Sequence, residues 1–76
     1  MNMNYKNLFE RHQLLLELEY AKDRGITIFL DGEPSSPKTV AHRLYVNDSN
    51  LFMRDYVTNE DGVWTELRFD RVKNQE

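Results

Sequence analysis

The chain has 76 residues, 39% of them hydrophobic and 30% charged, with a formal net charge of −3 and no cysteine. That length predicts a single domain over residues 1–76, with a thin margin, because so small a domain buries only about 60% of the surface its unfolded chain exposes. The composition excludes disulfides and thiolate metal sites, two histidines cannot complete a zinc site alone, and no basic run marks a duplex-DNA binder.

The first predicted element is a helix over Asn4–Arg24. Asn4 suits the N-cap, where its side chain accepts from an unpaired backbone N–H. Lys22 and Arg24 sit in the last turn, where cations favour the negative helix end, and Gly25 can take the left-handed conformation that stops a helix. This helix carries more apolar surface than one face can hold. At about 100° per residue, Tyr5, Leu8, Phe9, His12, Leu15 and Leu16 fall on one broad stripe, while Leu14, Leu18 and Ala21 fall toward the opposite side. The stripe is expected to close the chain's own core. Leu14, Leu18 and Ala21 are then expected to form a seam with another chain, a second copy in the first instance. The competing expectation is that the helix is sandwiched within its own fold.

Ile26–Leu30 is short, β-branched and aromatic, and reads as a strand in a sheet interior. Asp31-Gly32 turns the chain and residues 33–35 form a loop. Ser36-Pro37 supports two readings. A serine N-cap followed by proline at the first helical position favours a short helix, Pro37–Tyr45, with Val40, Ala41 and Leu44 on one face. Val40, His42, Leu44 and Val46 also alternate as a strand would, which would make the C-terminal part a four-stranded meander; the helix is the preferred reading. Asn47-Asp48-Ser49-Asn50 is turn chemistry. Two strands follow, Leu51–Thr58 and Val63–Val72, joined by Asn59-Glu60-Asp61-Gly62.

The register of this hairpin decides which side chains meet. A three-residue loop with glycine in a bulge puts Met53 and Val57 beside Leu67 and Phe69. A two-residue Asp61-Gly62 turn puts Phe52 and Tyr56 there and pairs Asp55 with Arg68. The first is preferred, and it leaves Phe52, Arg54, Tyr56, Trp64, Glu66, Arg68 and Asp70 on the other face. The outline is an α+β domain: N-terminal helix, central strand, short second helix and C-terminal hairpin, in two layers with the helices on one face of a small sheet.

No catalytic signature emerges. His12 and Glu19 lie too far apart in sequence for direct contact within a helix. His42, Asp31 and Asp55 lack a serine in a strand–helix elbow to act with. Asp31-Gly32-Glu33 and Asn47–Asn50 have too few carboxylates for a calcium loop, and no glycine-rich phosphate loop exists. No catalytic residue, cofactor, metal or small-molecule substrate is therefore expected. The hairpin face has two readings. Phe52, Tyr56 and Trp64 with Arg54 and Arg68 could stack and hold single-stranded nucleic acid, but Glu66 and Asp70 would repel its phosphates. Trp, Tyr and Arg are also the residues that most often anchor protein interfaces.

The favoured expectation is a non-catalytic protein-binding accessory domain, a regulator, adaptor or inhibitor, that forms a homodimer. Its interface residues would be Leu14, Leu18, Ala21, Arg54, Tyr56, Trp64 and Arg68. Its size and lack of catalytic residues fit the type of small accessory proteins of bacteria and their phages. Residues 1–7 lack the apolar core of a signal peptide and no apolar run approaches the roughly 20 residues that span a bilayer, so a cytoplasmic location is expected.

Overall fold

The computed structural model describes residues 4–47 and 51–72, with side chains described from Phe9 onward. Its elements are α1 (Asn4–Asp23), β1 (Thr27–Leu30), β2 (Glu33–Pro34), α2 (Pro37–Val46), β3 (Phe52–Thr58) and β4 (Trp64–Arg71). The four strands form one sheet in the order β2-β1-β4-β3, with β1 parallel to β4 and the other pairs antiparallel. The α+β architecture with helices on one face of a small sheet is as the sequence predicts. The strand over Glu33–Pro34 replaces part of a predicted loop. Proline fits there because β2 is an edge strand and needs no further donor.

Local chemistry sets the boundaries. Gly25, at φ +84°, ends α1 by donating its N–H to Lys22 O at 2.9 Å, while Ile26 N–H reaches Ala21 O at 3.0 Å. These two bonds make the Schellman termination, which packs the residue after the glycine against the helix's last turn. Asp31 and Gly32 both have positive φ and close the tight β1–β2 hairpin, as an Asp-Gly pair does in a type I′ turn. Asp31 N–H donates to Phe69 O at 2.8 Å and its Oδ1 accepts from Arg71 N–H at 2.9 Å, tying this turn to β4. Ser36 caps α2: its Oγ accepts from Thr39 N–H at 3.2 Å, with Pro37 opening the helix. Such a cap contributes about 1 kcal/mol and settles residues 37–46 as helix.

The core joins Leu18 and Ala21 of α1, Val40, Ala41 and Leu44 of α2, and Ile28, Leu30, Phe52, Leu67 and Phe69 of the sheet, with Ile26 at the α1–β1 junction. Two expectations are corrected here. Leu18 and Ala21 are 0% exposed and Leu14 is half-buried against the core, so the side of α1 assigned to an intermolecular seam is the inner side. The Schellman bond from Ile26 to Ala21 is the physical reason: it turns Ala21, and Leu18 one turn earlier, toward the sheet. The predicted core stripe faces outward instead. Phe9 is 63% exposed and Leu16 51% exposed, His12 is exposed, and only Leu15 is half-buried. The stripe's Tyr5 and Leu8, and the cap expected at Asn4, lie outside the described side chains.

The second correction is the hairpin register. Asn59 N–H donates to Val63 O at 2.9 Å, so the loop does hold three residues, with Gly62 at φ +80°. Asn59 Oδ1 locks it by accepting from the N–H groups of Asp61 (2.8 Å) and Val63 (3.0 Å). Thr58 accordingly lies opposite Trp64. One residue further β4 is bulged at Thr65, so Val57 lies opposite Glu66, Tyr56 opposite Leu67, Asp55 opposite Arg68 and Arg54 opposite Phe69. The bulge moves the ladder by one residue and cancels the offset that the loop introduces. Phe52, not Met53, thus enters the core.

Candidate protein-binding surface

Two exposed surfaces involve α1. The first is its outward side. Phe9, Leu16 and Tyr20 fall within a narrow arc opposite Leu18, and Tyr20 is 57% exposed. Arg24, one turn after Tyr20, holds its guanidinium carbon 5.3 Å from the Tyr20 ring centroid. A surface helix normally places charged or polar groups on that side.

The second surface lies on the helix-covered side of the sheet, on β3 and the start of β4. Arg54 is its centre. Its Nη1 donates to Glu17 Oε1 and Oε2 at 3.2 and 3.3 Å and lies 3.1 Å from the Tyr56 hydroxyl. Its guanidinium carbon sits 5.2 Å from the Phe69 ring centroid. Tyr56 packs on Trp64 at 5.3 Å between ring centroids, and Trp64 Nε1–H donates to Glu66 O at 2.8 Å. Because of the Thr65 bulge, Trp64 lies on this side and packs against the core. Burial opposes the charge on Arg54, but the Tyr56 hydroxyl and the Glu17 carboxylate outweigh it and raise its pKa above the ordinary guanidinium value. Arg54 is a permanent cation braced between helix and strand.

Arg54, Tyr56 and Trp64 are therefore brought together, as the sequence reading grouped them, but on the other face of the sheet. Arg68 is separated from them. It lies on the open face with Phe29, Asp55, Glu66 and Asp70, donates to Glu66 Oε1 at 2.9 Å, and stacks 4.4 Å from the Phe29 ring centroid. The predicted stacking platform for single-stranded nucleic acid is split between two faces by the same register change. Phe52 is buried in the core. Leu14 is half-buried against the core, while Leu18 and Ala21 lie within it and touch no solvent.

The residues weighed for catalysis remain apart. Asp31 ends β1, Asp55 sits mid-β3 and His42 is exposed on α2. Among the described residues neither histidine joins a side-chain hydrogen bond or ion pair, and no group of three His, Cys, Asp or Glu could hold a metal ion. A shallow groove of about 330 Å³ runs between the β1–β2 turn and α2, lined by Asp31, Glu33, Ser35, Thr39 and Arg43; it includes neither histidine. No described helix is long and apolar enough to cross a membrane. Comparison with protein-family models, curated proteins and solved structures returns no match.

Sequence reasoning missed Phe9, Leu16 and Tyr20 as the exposed apolar set. The signal was present in Gly25-Ile26, since the residue after a Schellman glycine packs back onto the helix and marks the inner side.

Proposed function

We propose that this protein is a non-catalytic, protein-binding accessory domain, acting as a regulator, adaptor or inhibitor, that pairs with a second copy of itself through the outward side of α1. One observation carries this reading: α1 is apolar on both sides, and the side bearing Phe9, Leu16 and Tyr20 faces water. Both helices already lie on the same face of the sheet, so the chain has no further described element to lay over that side. Exposed apolar surface of this kind marks contact sites, and Tyr20 with Arg24 stacked on it are of the residue types that anchor interfaces. Homodimers by two-fold symmetry are the commonest soluble assemblies.

Sedimentation velocity over a concentration series from low to high micromolar tests the reading. A monomer–dimer equilibrium is expected, weakened at least about tenfold when Leu16→Glu places a charge in the contact. A protein that stays monomeric throughout the series, or a dimer indifferent to Leu16→Glu, overturns the pairing.

A further inference from the structure

Among the described residues the sheet has one long free edge, β3. Val72 N–H donates to Leu51 O at 2.7 Å, which fixes the phase of the β3–β4 ladder. In an antiparallel ladder the residues alternate, so Met53, Asp55 and Val57 turn their backbone groups toward β4. Those of Phe52, Arg54, Tyr56 and Thr58 point out of the sheet. Among the described residues no backbone group pairs with them. The opposite edge, β2, offers only two residues, one of them proline. A seven-residue edge rich in aromatic and β-branched side chains is a template for another strand.

Asp55 stands at the middle of that edge on the open face. Arg68 lies directly across from it on β4, yet its guanidinium is drawn the other way, onto the Phe29 ring at 4.4 Å and to Glu66 at 2.9 Å. Asp55 has no ion pair among the described residues. The cross-sheet row Pro34, Phe29, Arg68, Asp55 therefore ends at the free edge in an unmatched carboxylate.

Consider a second copy added antiparallel with full overlap of the two β3 strands. Arg54 would pair with Tyr56 and Met53 with Val57, both favourable, but Asp55 would face the Asp55 of the other copy. Like charges directly opposite in a ladder are destabilising, and opposite charges stabilise by a comparable amount. A strand with Lys or Arg at that place keeps every backbone bond and replaces repulsion with attraction. We propose that the β3 edge takes up an extended segment of another protein by strand addition, with a basic residue opposite Asp55, and that the same carboxylate keeps a second copy of this chain from docking there. This surface is separate from the outward side of α1.

An Asp55→Lys copy is itself the probe, since its β3 is an extended strand with a basic residue at the required place. Both chains in the experiment carry Leu16→Glu, so that α1 contacts are weakened alike in every pairing and the outcome, read at the β3 amides, is independent of the proposed dimer. Chain retaining Asp55 is 15N-labelled and titrated at low salt with the unlabelled Asp55→Lys copy. The expected result is a complex with amide shifts centred on Arg54, Tyr56 and Thr58, about fivefold tighter than either chain binds itself and weakened by added salt. An Asp55→Thr copy is expected to fall between. Absence of shifts at these amides overturns the proposal. So do equal shifts on adding unlabelled chain that retains Asp55, or an Asp55→Thr copy that binds as well as the lysine copy. Asp55 is exposed and outside the core, so these variants keep the fold.

Discussion

Leu18→Ala compared with Leu16→Ala separates the two sides of α1 by their effect on stability. Leu18 is 0% exposed and packs in the cluster that joins both helices to the sheet. Truncating a leucine in such a place removes its transfer free energy and leaves a cavity, at a cost of about 3 kcal/mol. For a chain of this length the entropy of unfolding near the midpoint is about 160 cal/mol/K, so the midpoint should fall by roughly 19 °C. Leu16 is 51% exposed, and its truncation should cost no more than about 0.5 kcal/mol, or about 3 °C. Melting is followed by circular dichroism at low micromolar concentration, where coupling to self-association is small, with urea titrations to check that the m-value is unchanged. A Leu16→Ala loss equal to or larger than the Leu18→Ala loss would refute the assignment of inner and outer sides.

Three further outcomes follow from the same geometry. Deleting Thr65 removes the bulge and leaves Trp64, Leu67 and Phe69 on their faces, so it should cost only about 1 kcal/mol. Deleting Arg68 pushes Leu67 toward the open face and should abolish cooperative melting; equal effects of the two deletions in a thermal melt would contradict the register. Gly62→Ala should destabilise by about 1 kcal/mol, because φ is +80° there although the space around it is open; a neutral result in urea titration counts against the loop geometry. Arg54→Met should cost about 1 kcal/mol or less, since the Glu17–Arg54 pair is more than a third exposed on the side chains. A base whose folded pKa is raised contributes fully below its unfolded value, which for a guanidinium lies far above neutrality. The Arg54 titration thus adds no pH dependence between about pH 6 and pH 9. A difference between wild type and variant that changes sign within that range would contradict the assignment.

Much of the fold is legible from local chemistry. Gly25, Asp31-Gly32, Ser36-Pro37 and Asn59–Gly62 each announce a cap or turn that forms where expected. What eluded the sequence is relational. The hairpin loop was legible, but Thr65 carries no bulge signature, and one unpaired residue exchanges the identities of the two faces of β3. The apolar arcs of α1 are comparably rich, so periodicity alone could not rank them. Ala21 looks weakly hydrophobic beside Phe9 and Leu16, yet small size is what permits close approach of the helix to Ile26. Arg54, Tyr56 and Trp64 stay together because Trp64 precedes the Thr65 bulge and keeps the face of β3, whereas Arg68 follows the bulge and lies on the other face.

The parallel pairing of β1 with β4 carries a consequence for synthesis on the ribosome. Thr27 and Glu66 are neighbours in space and about forty residues apart along the chain. Until the last strand has left the exit tunnel, β1 has only the two-residue β2 beside it, and the apolar sides of both helices have no sheet to settle on. The nascent polypeptide therefore completes this fold only once β4 is free to pair with β1, all at once. A stalled chain ending at Gly62 should be digested by protease as readily as an unfolded one.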